Sequence, residues 1–249
     1  MKTEFTGLKV IVTGSGSGIG LELAQQLSQS GAEVFGLDIS EGALGSAGHW
    51  IKCDVGDSSS VAQAFAEVYS KTSVIDIVLN NAGISAVGTV EDATDEQWNR
   101  VMNINVVGMS RVAAAAMPAL RKSKNPAIVN TCSVAATAGI PKRAIYSASK
   151  GAVLSLTLAM AADYIKENIR VNCVSPGTAD TPWVQNLLAS SSDPQAERTA
   201  LEARQPMGRL VTSTEVANAI LYLASPRQSS TTGTILAVDG GMQGLRIPK

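Results

Sequence analysis

The sequence has a single histidine, His49, and that scarcity removes whole classes of chemistry. A Ser/His/Asp triad needs a histidine held by its neighbours, and zinc centres draw on several His or Cys ligands, so neither a triad nor a metal site is expected. Cysteine is sparse and odd in number: Cys53, Cys132 and Cys173 lie far apart in apolar runs and read as small buried hydrophobes in a reducing compartment. Charged residues are only 16% of the chain, the net charge is −1, and there is no basic block that could follow a phosphate backbone, so nucleic acid is not an expected partner. No uninterrupted run of about 18 uncharged apolar residues suggests a membrane span, and the chain opens without an apolar run of signal length. The expectation is a cytoplasmic protein with no membrane partner. No Pro- or Ser-rich linker divides the 249 residues, which suffice for one large α/β domain spanning 1–249.

What the chain does have is glycine at a telling place. The β-branched run Leu8-Lys9-Val10-Ile11-Val12-Thr13 leads into Gly14-Ser15-Gly16-Ser17-Gly18-Ile19-Gly20 and then into the helical pattern of Leu21, Leu23, Ala24 and Leu27. A strand, a glycine turn and a helix in that order bring backbone N–H groups and the positive end of a helix to a pyrophosphate. The spacing is Gly14-x3-Gly18-x-Gly20 rather than G-x-G-x-x-G, because Ile19 and Leu21 stand where that pattern needs glycine. The next strand, Glu33 to Asp38, ends in an acid suited to an adenosine ribose. Between Lys9 and Lys52 there is no Lys or Arg, so a 2′-phosphate would meet a carboxylate and no cation. NAD(H) is therefore expected in preference to NADP(H).

Residues 39–49 carry Gly42, Gly45 and Gly48 and leave room for little more than one helical turn before the third strand, Trp50 to Cys53. Asp54-Val55 follows, where the carboxylate suits either an adenine amine or a turn. A helix over 60–69 leads to a buried-type strand over 75–79, which runs into Asn80-Asn81-Ala82-Gly83. Thr94-x-x-Gln97 reads as a capping box opening a long helix over 95–121, inside which Asn103 and Asn105 interrupt the apolar face. A fifth strand over 127–132 ends just before Ser133, and Tyr146 and Lys150 follow four residues apart on one predicted helical face. An ammonium close to a phenol favours the phenolate, which suits a tyrosine to general acid–base work near neutral pH. A sixth strand over 169–174 precedes Ser175-Pro176-Gly177-Thr178-Ala179-Asp180-Thr181, Thr212-x-x-Glu215 caps the last helix, and a final strand covers 234–239. Strands alternating with helices predict a doubly wound, Rossmann-like α/β fold: a mostly parallel seven-stranded sheet with helices on both faces and ligands at its carboxyl edge.

Thr13-Gly14-x3-Gly18-x-Gly20, Asn81-Ala82-Gly83, Asn105, Ser133, Tyr146-x3-Lys150 and Pro176-Gly177 stand in an order and spacing that resemble the short-chain dehydrogenase/reductase family of the single-domain type, across nearly the whole chain. The resemblance implies an oxidoreductase interconverting a secondary alcohol and a ketone with NAD(H). In it Tyr146 gives and takes the proton at the substrate oxygen, Ser133 holds the same oxygen, Lys150 supports Tyr146 and the nicotinamide ribose, and Asn105 anchors a water linking Lys150 to solvent. The implied cofactor contacts are Gly14, Ser17, Gly18, Ile19, Gly20, Asp38, Asp54, Val55, Asn81, Ala82 and Gly83, with Tyr146, Lys150, Pro176, Gly177, Ala179 and Thr181 on the nicotinamide side. Family members commonly form tetramers, here through helices over 95–121 and 145–168, where Ala113 to Ala116 suit close packing. The extra Gly16 and the short 39–49 crossover depart from the family pattern on the adenine side.

The region at 180–210 is the least α/β-like, and its place after the sixth strand makes it a natural substrate lid. Arg143 sits three residues before Tyr146 and Arg204 closes this region. Either arginine can hold a substrate carboxylate bidentately, with a solvated surface position as the alternative. The segments around Trp183 and Arg204 are most similar to relatives that oxidise sugar acids or small hydroxy acids. An apolar ketone or hydroxysteroid is the competing substrate, with Ile140, Trp183, Leu187 and Leu188 lining a greasy pocket. A nucleotide-sensing regulator without turnover is the competing class, but it has no need of Asn105, Ser133, Tyr146 and Lys150 together.

Overall fold

Alternation of short apolar strands with helices runs the length of the chain in the computed structural model, which describes residues 4–189 and 191–246. Ser190, one of the lid serines, and both chain ends lie outside the described residues. The order is β1 (Lys9–Thr13), α1 (Gly18–Gln29), β2 (Glu33–Asp38), β3 (His49–Lys52), α2 (Ser58–Lys71), β4 (Ile77–Asn80), α3 (Asp95–Met102), α4 (Gly108–Leu120), β5 (Ala127–Thr131) and α5 (Ala144–Tyr164). It continues with β6 (Arg170–Pro176), β7 (Ala179–Asp180), α6 (Pro182–Ala189), α7 (Pro194–Ala203), β8 (Val211–Thr212), α8 (Ser213–Ala224) and β9 (Ile235–Val238). Seven strands pair throughout in parallel in the order β3-β2-β1-β4-β5-β6-β9, while β7 and β8 form a separate two-stranded ladder. This is the doubly wound Rossmann-like sheet expected. Because the chain winds outward from β1 one way and from β4 the other, the crevice between these two strands opens at the carboxyl edge, where such sheets bind ligands.

The burial pattern explains why the runs read so clearly. Strands β4, β5 and β6 are buried at every residue, as strands covered on both faces must be, whereas the edge strands β3 and β9 are the more exposed. Side chains of β1 divide by period two: Ile11 joins a core with α2, α4 and α5, and Val10 and Val12 join another with α1 and α8. Residues 144–167 are long and apolar enough to cross a membrane by length and composition, yet this helix packs against β6 with Ile145, Val153, Met160 and Ala161 buried.

One detail departs from the straight reading and another agrees with it. The long helix expected over 95–121 is broken by a π turn at Asn103–Val107, where the Asn103 amide donates to the Gly56 carbonyl (2.8 Å) and thereby ties the helix to the loop after β3. The short crossover does hold a single 3₁₀ turn, Gly45–Ala47. It folds back on the glycine turn: the Ala43 N–H donates to the Gly16 carbonyl (2.9 Å), and Gly42 takes a left-handed φ of 58° with no room for a Cβ against that same carbonyl.

The tightest packing in the sheet's first crossover is at Gly20, where an added Cβ would lie 1.9 Å from the Gly14 carbonyl oxygen. Gly20→Ala should therefore destabilise the protein by about 3 kcal/mol, at the upper end of overpacking costs, as read by urea denaturation. A change below about 0.5 kcal/mol, the scale of ordinary surface substitutions, would show that the turn relaxes freely.

Candidate active site

The glycine turn is shaped by its neighbours on β4 as much as by its own residues. Gly14 and Gly18 adopt φ of 67° and 54°, in the region glycine reaches without steric cost. The Thr13 hydroxyl oxygen accepts the backbone N–H groups of Asn81 and Ala82, each at 3.0 Å, and the Asn81 amide donates back to the Thr13 and Gly14 carbonyls at 3.2 and 3.4 Å. The ends of β1 and β4 are thus stitched together at the switch point. Ser17 caps α1 without a side-chain bond, so the first-turn amides at Gly18, Ile19 and Gly20 are left for an anion such as a pyrophosphate.

On the adenine side the two departures from the family pattern prove to be one unit. Asp38 Oδ2 accepts the Gly16 N–H (2.9 Å), and a Cβ at Gly16 would press on the Ser40 and Glu41 carbonyls of the short crossover at 3.1 and 3.2 Å. One oxygen of Asp38 thus positions the turn, and the carboxylate stays partly exposed at the end of β2. Asp54 does serve the turn, accepting the Gly56 N–H at 2.8 Å while remaining exposed. Val55 is buried, and its carbonyl accepts from Arg111 of α4 (3.1 Å).

Deeper in the crevice a cavity of about 250 Å³ is lined by Ser133, Tyr146 and Lys150 together with Asn81, Gly83, Pro176, Gly177, Ala179 and Thr181. Lys150 is buried; its ammonium donates to the Thr131 carbonyl at the end of β5 (2.8 Å) and lies 5.8 Å from the centre of the Tyr146 ring. The four-residue spacing on α5 does place both on one face. Ser133 Oγ accepts the Ala135 N–H (3.2 Å), which fixes the side chain and leaves its O–H to donate into the cavity. Asn105 sits in the π turn, fully buried. Its amide exchanges hydrogen bonds with the Ile84 backbone, accepting N–H and donating to C=O at 2.8 Å each, and also donates to Ser149 Oγ at 3.1 Å. It faces Lys150 across Gly83, where an added Cβ would lie 3.2 Å from Asn105 Oδ1 and 3.7 Å from Lys150 Nζ.

Arg143, Trp183 and Arg204 all line this cavity, so the structure gathers the expected substrate residues about the same space as Tyr146. Arg143 N-caps α5 by position and donates to the Ala86 carbonyl (3.2 Å); burial, and after it the Arg204 charge, hold its guanidinium below the usual range. One expectation is corrected. Ile140, Trp183 and Leu187 line the cavity, but Leu188 packs with Val184, Leu201 and Leu210 in the core of the α6–α7 hairpin, because that hairpin needs an apolar interior of its own. Missed in the sequence were the Thr13 clamp and Gln205, a buried residue that donates from Nε2 to the Thr178 and Arg209 carbonyls (3.3 and 2.8 Å). Thr13 stood in the quoted motif, and a hydroxyl at a buried strand end was the available signal. Among the described residues no His/Cys/Asp/Glu cluster could hold a metal.

A family model described as enoyl-(acyl carrier protein) reductase matches residues 14–243. The chain is 36% identical to 2-(S)-hydroxypropyl-CoM dehydrogenase 3 of Xanthobacter autotrophicus, covering 94% of this chain and 95% of that protein. It is 38% identical to cis-4-hydroxycyclohexanecarboxylate dehydrogenase of Sinomonas cyclohexanicum, over 97% and 98%. The chain belongs to the short-chain dehydrogenase/reductase family. Among solved structures, ligand-free aldohexose dehydrogenase of Thermoplasma acidophilum superposes with a TM-score of 0.92 at 32% identity, covering 99% of both chains. As a member of this family the protein is an oxidoreductase that uses a nicotinamide cofactor and acts on a small molecule.

Replacing Thr13 with Val keeps the shape and deletes the oxygen that two N–H groups share. Thr13→Val should cost about 2–3 kcal/mol, the penalty for burying donors unsatisfied, and should raise the KM for the nicotinamide cofactor. Denaturation and cofactor titration check this; an unchanged cofactor KM would mean that the clamp does not shape the crevice.

Proposed function

We propose that the protein is an NAD(H)-dependent dehydrogenase that interconverts a secondary alcohol and a ketone. The observation that carries this reading is the convergence of Ser133, Tyr146 and Lys150 on one cavity at the switch point of the sheet. NAD(H) bound in the crevice supplies the hydride acceptor for oxidation or the donor for reduction. The free first-turn amides of α1 and the glycines at 14, 18 and 20 hold the pyrophosphate, and Asp38 accepts from the adenosine ribose. Asp54, Val55 and Ala82 flank the adenine half, while Gly83, Pro176, Gly177, Ala179 and Thr181 border the nicotinamide half. Tyr146 takes the hydroxyl proton during oxidation and returns it during reduction. Lys150 holds its charge beside Tyr146 and bonds the nicotinamide ribose, Ser133 donates a hydrogen bond to the same substrate oxygen, and Asn105 holds the water route from Lys150 to solvent.

The cavity carries two arginines beside Ile140, Trp183 and Leu187, and this charge favours a small acid over an apolar ketone or hydroxysteroid. A sugar acid or small hydroxy acid fits, and one relative carries a hydroxy carboxylate in its name. The region at 180–210 acts as a lid on one domain over 1–249, in a cytoplasmic homotetramer. Val107 of the π turn and Leu158 of α5, both exposed, support a helix-to-helix subunit contact.

NAD(H) should be preferred over NADP(H) by at least about tenfold in kcat/KM, or about 1.4 kcal/mol at the transition state. Steady-state rates with both cofactors check this, and equal efficiency would remove Asp38 from the ribose. Tyr146→Phe should cut turnover by about two to four orders of magnitude, the range of general acid–base catalysis, with cofactor binding nearly unchanged. Lys150→Ala should shift the pH–rate profile of oxidation upward and weaken cofactor binding, as read by rate profiles and titration. A profile that stays in place would separate Lys150 from the proton transfer.

A further inference from the structure

We propose that Arg143 and Arg204 form a single binding site for the carboxylate of a short hydroxy or keto acid, and that this carboxylate draws the α6–α7 hairpin over the cavity. The inference rests on the alcohol–ketone reading above and adds what the far end of the substrate carries. The cavity wall holds three cationic side chains, Arg143, Lys150 and Arg204, and no Asp or Glu among the described residues. Lys150 is committed to the Thr131 carbonyl and the Tyr146 ring. The two arginines are not committed in this way. Among the described residues neither pairs with a carboxylate, although Arg198 of the same hairpin pairs with Asp180 and Glu202, and Arg209 pairs with Glu215.

The two guanidiniums reach the cavity from different parts of the fold. Arg143 belongs to the framework: it precedes α5, is half-buried, and its bond to the Ala86 carbonyl uses one of five guanidinium N–H groups while fixing the stem. Arg204 directly follows α7 and stands exposed at the rim. Burial first, and the Arg204 charge after it, disfavour the protonated form of Arg143, with Tyr146 and Glu197 pulling the other way, so the two cations both line the cavity and repel each other. An anion between them replaces that repulsion with two attractions in a partly dry site. A carboxylate has two oxygens, one for each fork. Val184, Leu188, Leu201 and Leu210 give the hairpin a core of its own, so it closes as a unit when Arg204 is drawn toward Arg143.

Lactate, 3-hydroxybutyrate and 4-hydroxyvalerate, each paired with its neutral amide, provide the test with NAD⁺. For the best pair the enzyme should prefer acid over amide by about 100-fold or more in kcat/KM. Arg143→Met and Arg204→Met should each reduce that preference at least about tenfold, and the double variant should reduce it little further because both forks serve one anion. No acid preference, parallel losses on acid and amide, or fully multiplicative losses in the double variant would overturn the shared site. A second measurement needs no turnover: butyrate, but not butyramide, should change the fluorescence of Trp183, which lines the cavity. The change should vanish in Trp183→Phe and weaken in both arginine variants. Its absence in an enzyme active on neutral alcohols overturns the carboxylate site alone. Its presence in a protein that transfers no hydride to any ketone overturns the alcohol–ketone reading and leaves the carboxylate site standing.

Discussion

A buried ammonium is the constraint around which this molecule is arranged. Lys150 is 4% exposed, and a charge so placed is tolerated only where oxygen atoms and fixed dipoles replace the water it has lost. The Thr131 carbonyl, at the end of β5, does part of this. Lys150 also lines the cavity, so its remaining N–H groups are open to a bound molecule or water. Everything that fixes Lys150 also fixes Tyr146, since both ride on one face of α5. The long, apolar α5 is held against β6 by Val153, Met160 and Ala161, so a buried charge and a phenol are placed by ordinary hydrophobic packing one to three turns away.

A second rigid set of bonds works at the same edge of the sheet. The Thr13 hydroxyl and the Asn81 amide lock the glycine turn to the end of β4, while the Asn105 amide locks the next stretch, at Ile84, to the π turn and through Ser149 to α5. The wider π turn carries Asn105 inward at a helix position where it can meet a passing backbone. The crevice at the switch point and the cavity lined by Ser133, Tyr146 and Lys150 thereby share walls at Asn81 and Gly83.

Much of this was legible in the residues, for a physical reason. Strands buried on both faces must be nearly continuous apolar runs, so β1, β4, β5 and β6 announced themselves, and the glycines at 14, 18 and 20 marked a turn that only glycine can make. That Ser133, Tyr146 and Lys150 share one cavity accords with the family resemblance, while helix geometry by itself accounts only for Tyr146 and Lys150 lying on one face. What was not legible depends on contacts between segments distant in sequence. Gly16 and the 39–49 crossover looked like separate irregularities, yet each leaves the other's carbonyls the space they occupy. Leu188 looked fit for a pocket because a helical pattern shows which face is apolar but not whether the partner is a ligand or another helix. The π turn at 103–107 was invisible because a one-residue widening leaves the 3.6-residue pattern nearly intact.

The division of the molecule into a stiff edge and a separate hairpin bears on how its specificity is tuned. Ser133 just past β5, Tyr146 and Lys150 on α5 and Asn105 in the π turn all belong to elements packed on the main sheet, while α6 and α7 pack on a small core of their own. Gln205 joins the two. Its amide donates to Thr178, in the stretch between β6 and β7 that borders the cavity, and to Arg209, past the end of the hairpin. A Cβ at Gly177 would lie 2.3 Å from Gln205 Oε1, so the hairpin's end and the Pro176–Gly177 backbone are pressed together without slack. A movement of the hairpin that carries Gln205 with it therefore pushes on backbone at the cavity wall, and changes in α6 or α7 can be felt in the cavity without touching Ser133, Tyr146 or Lys150.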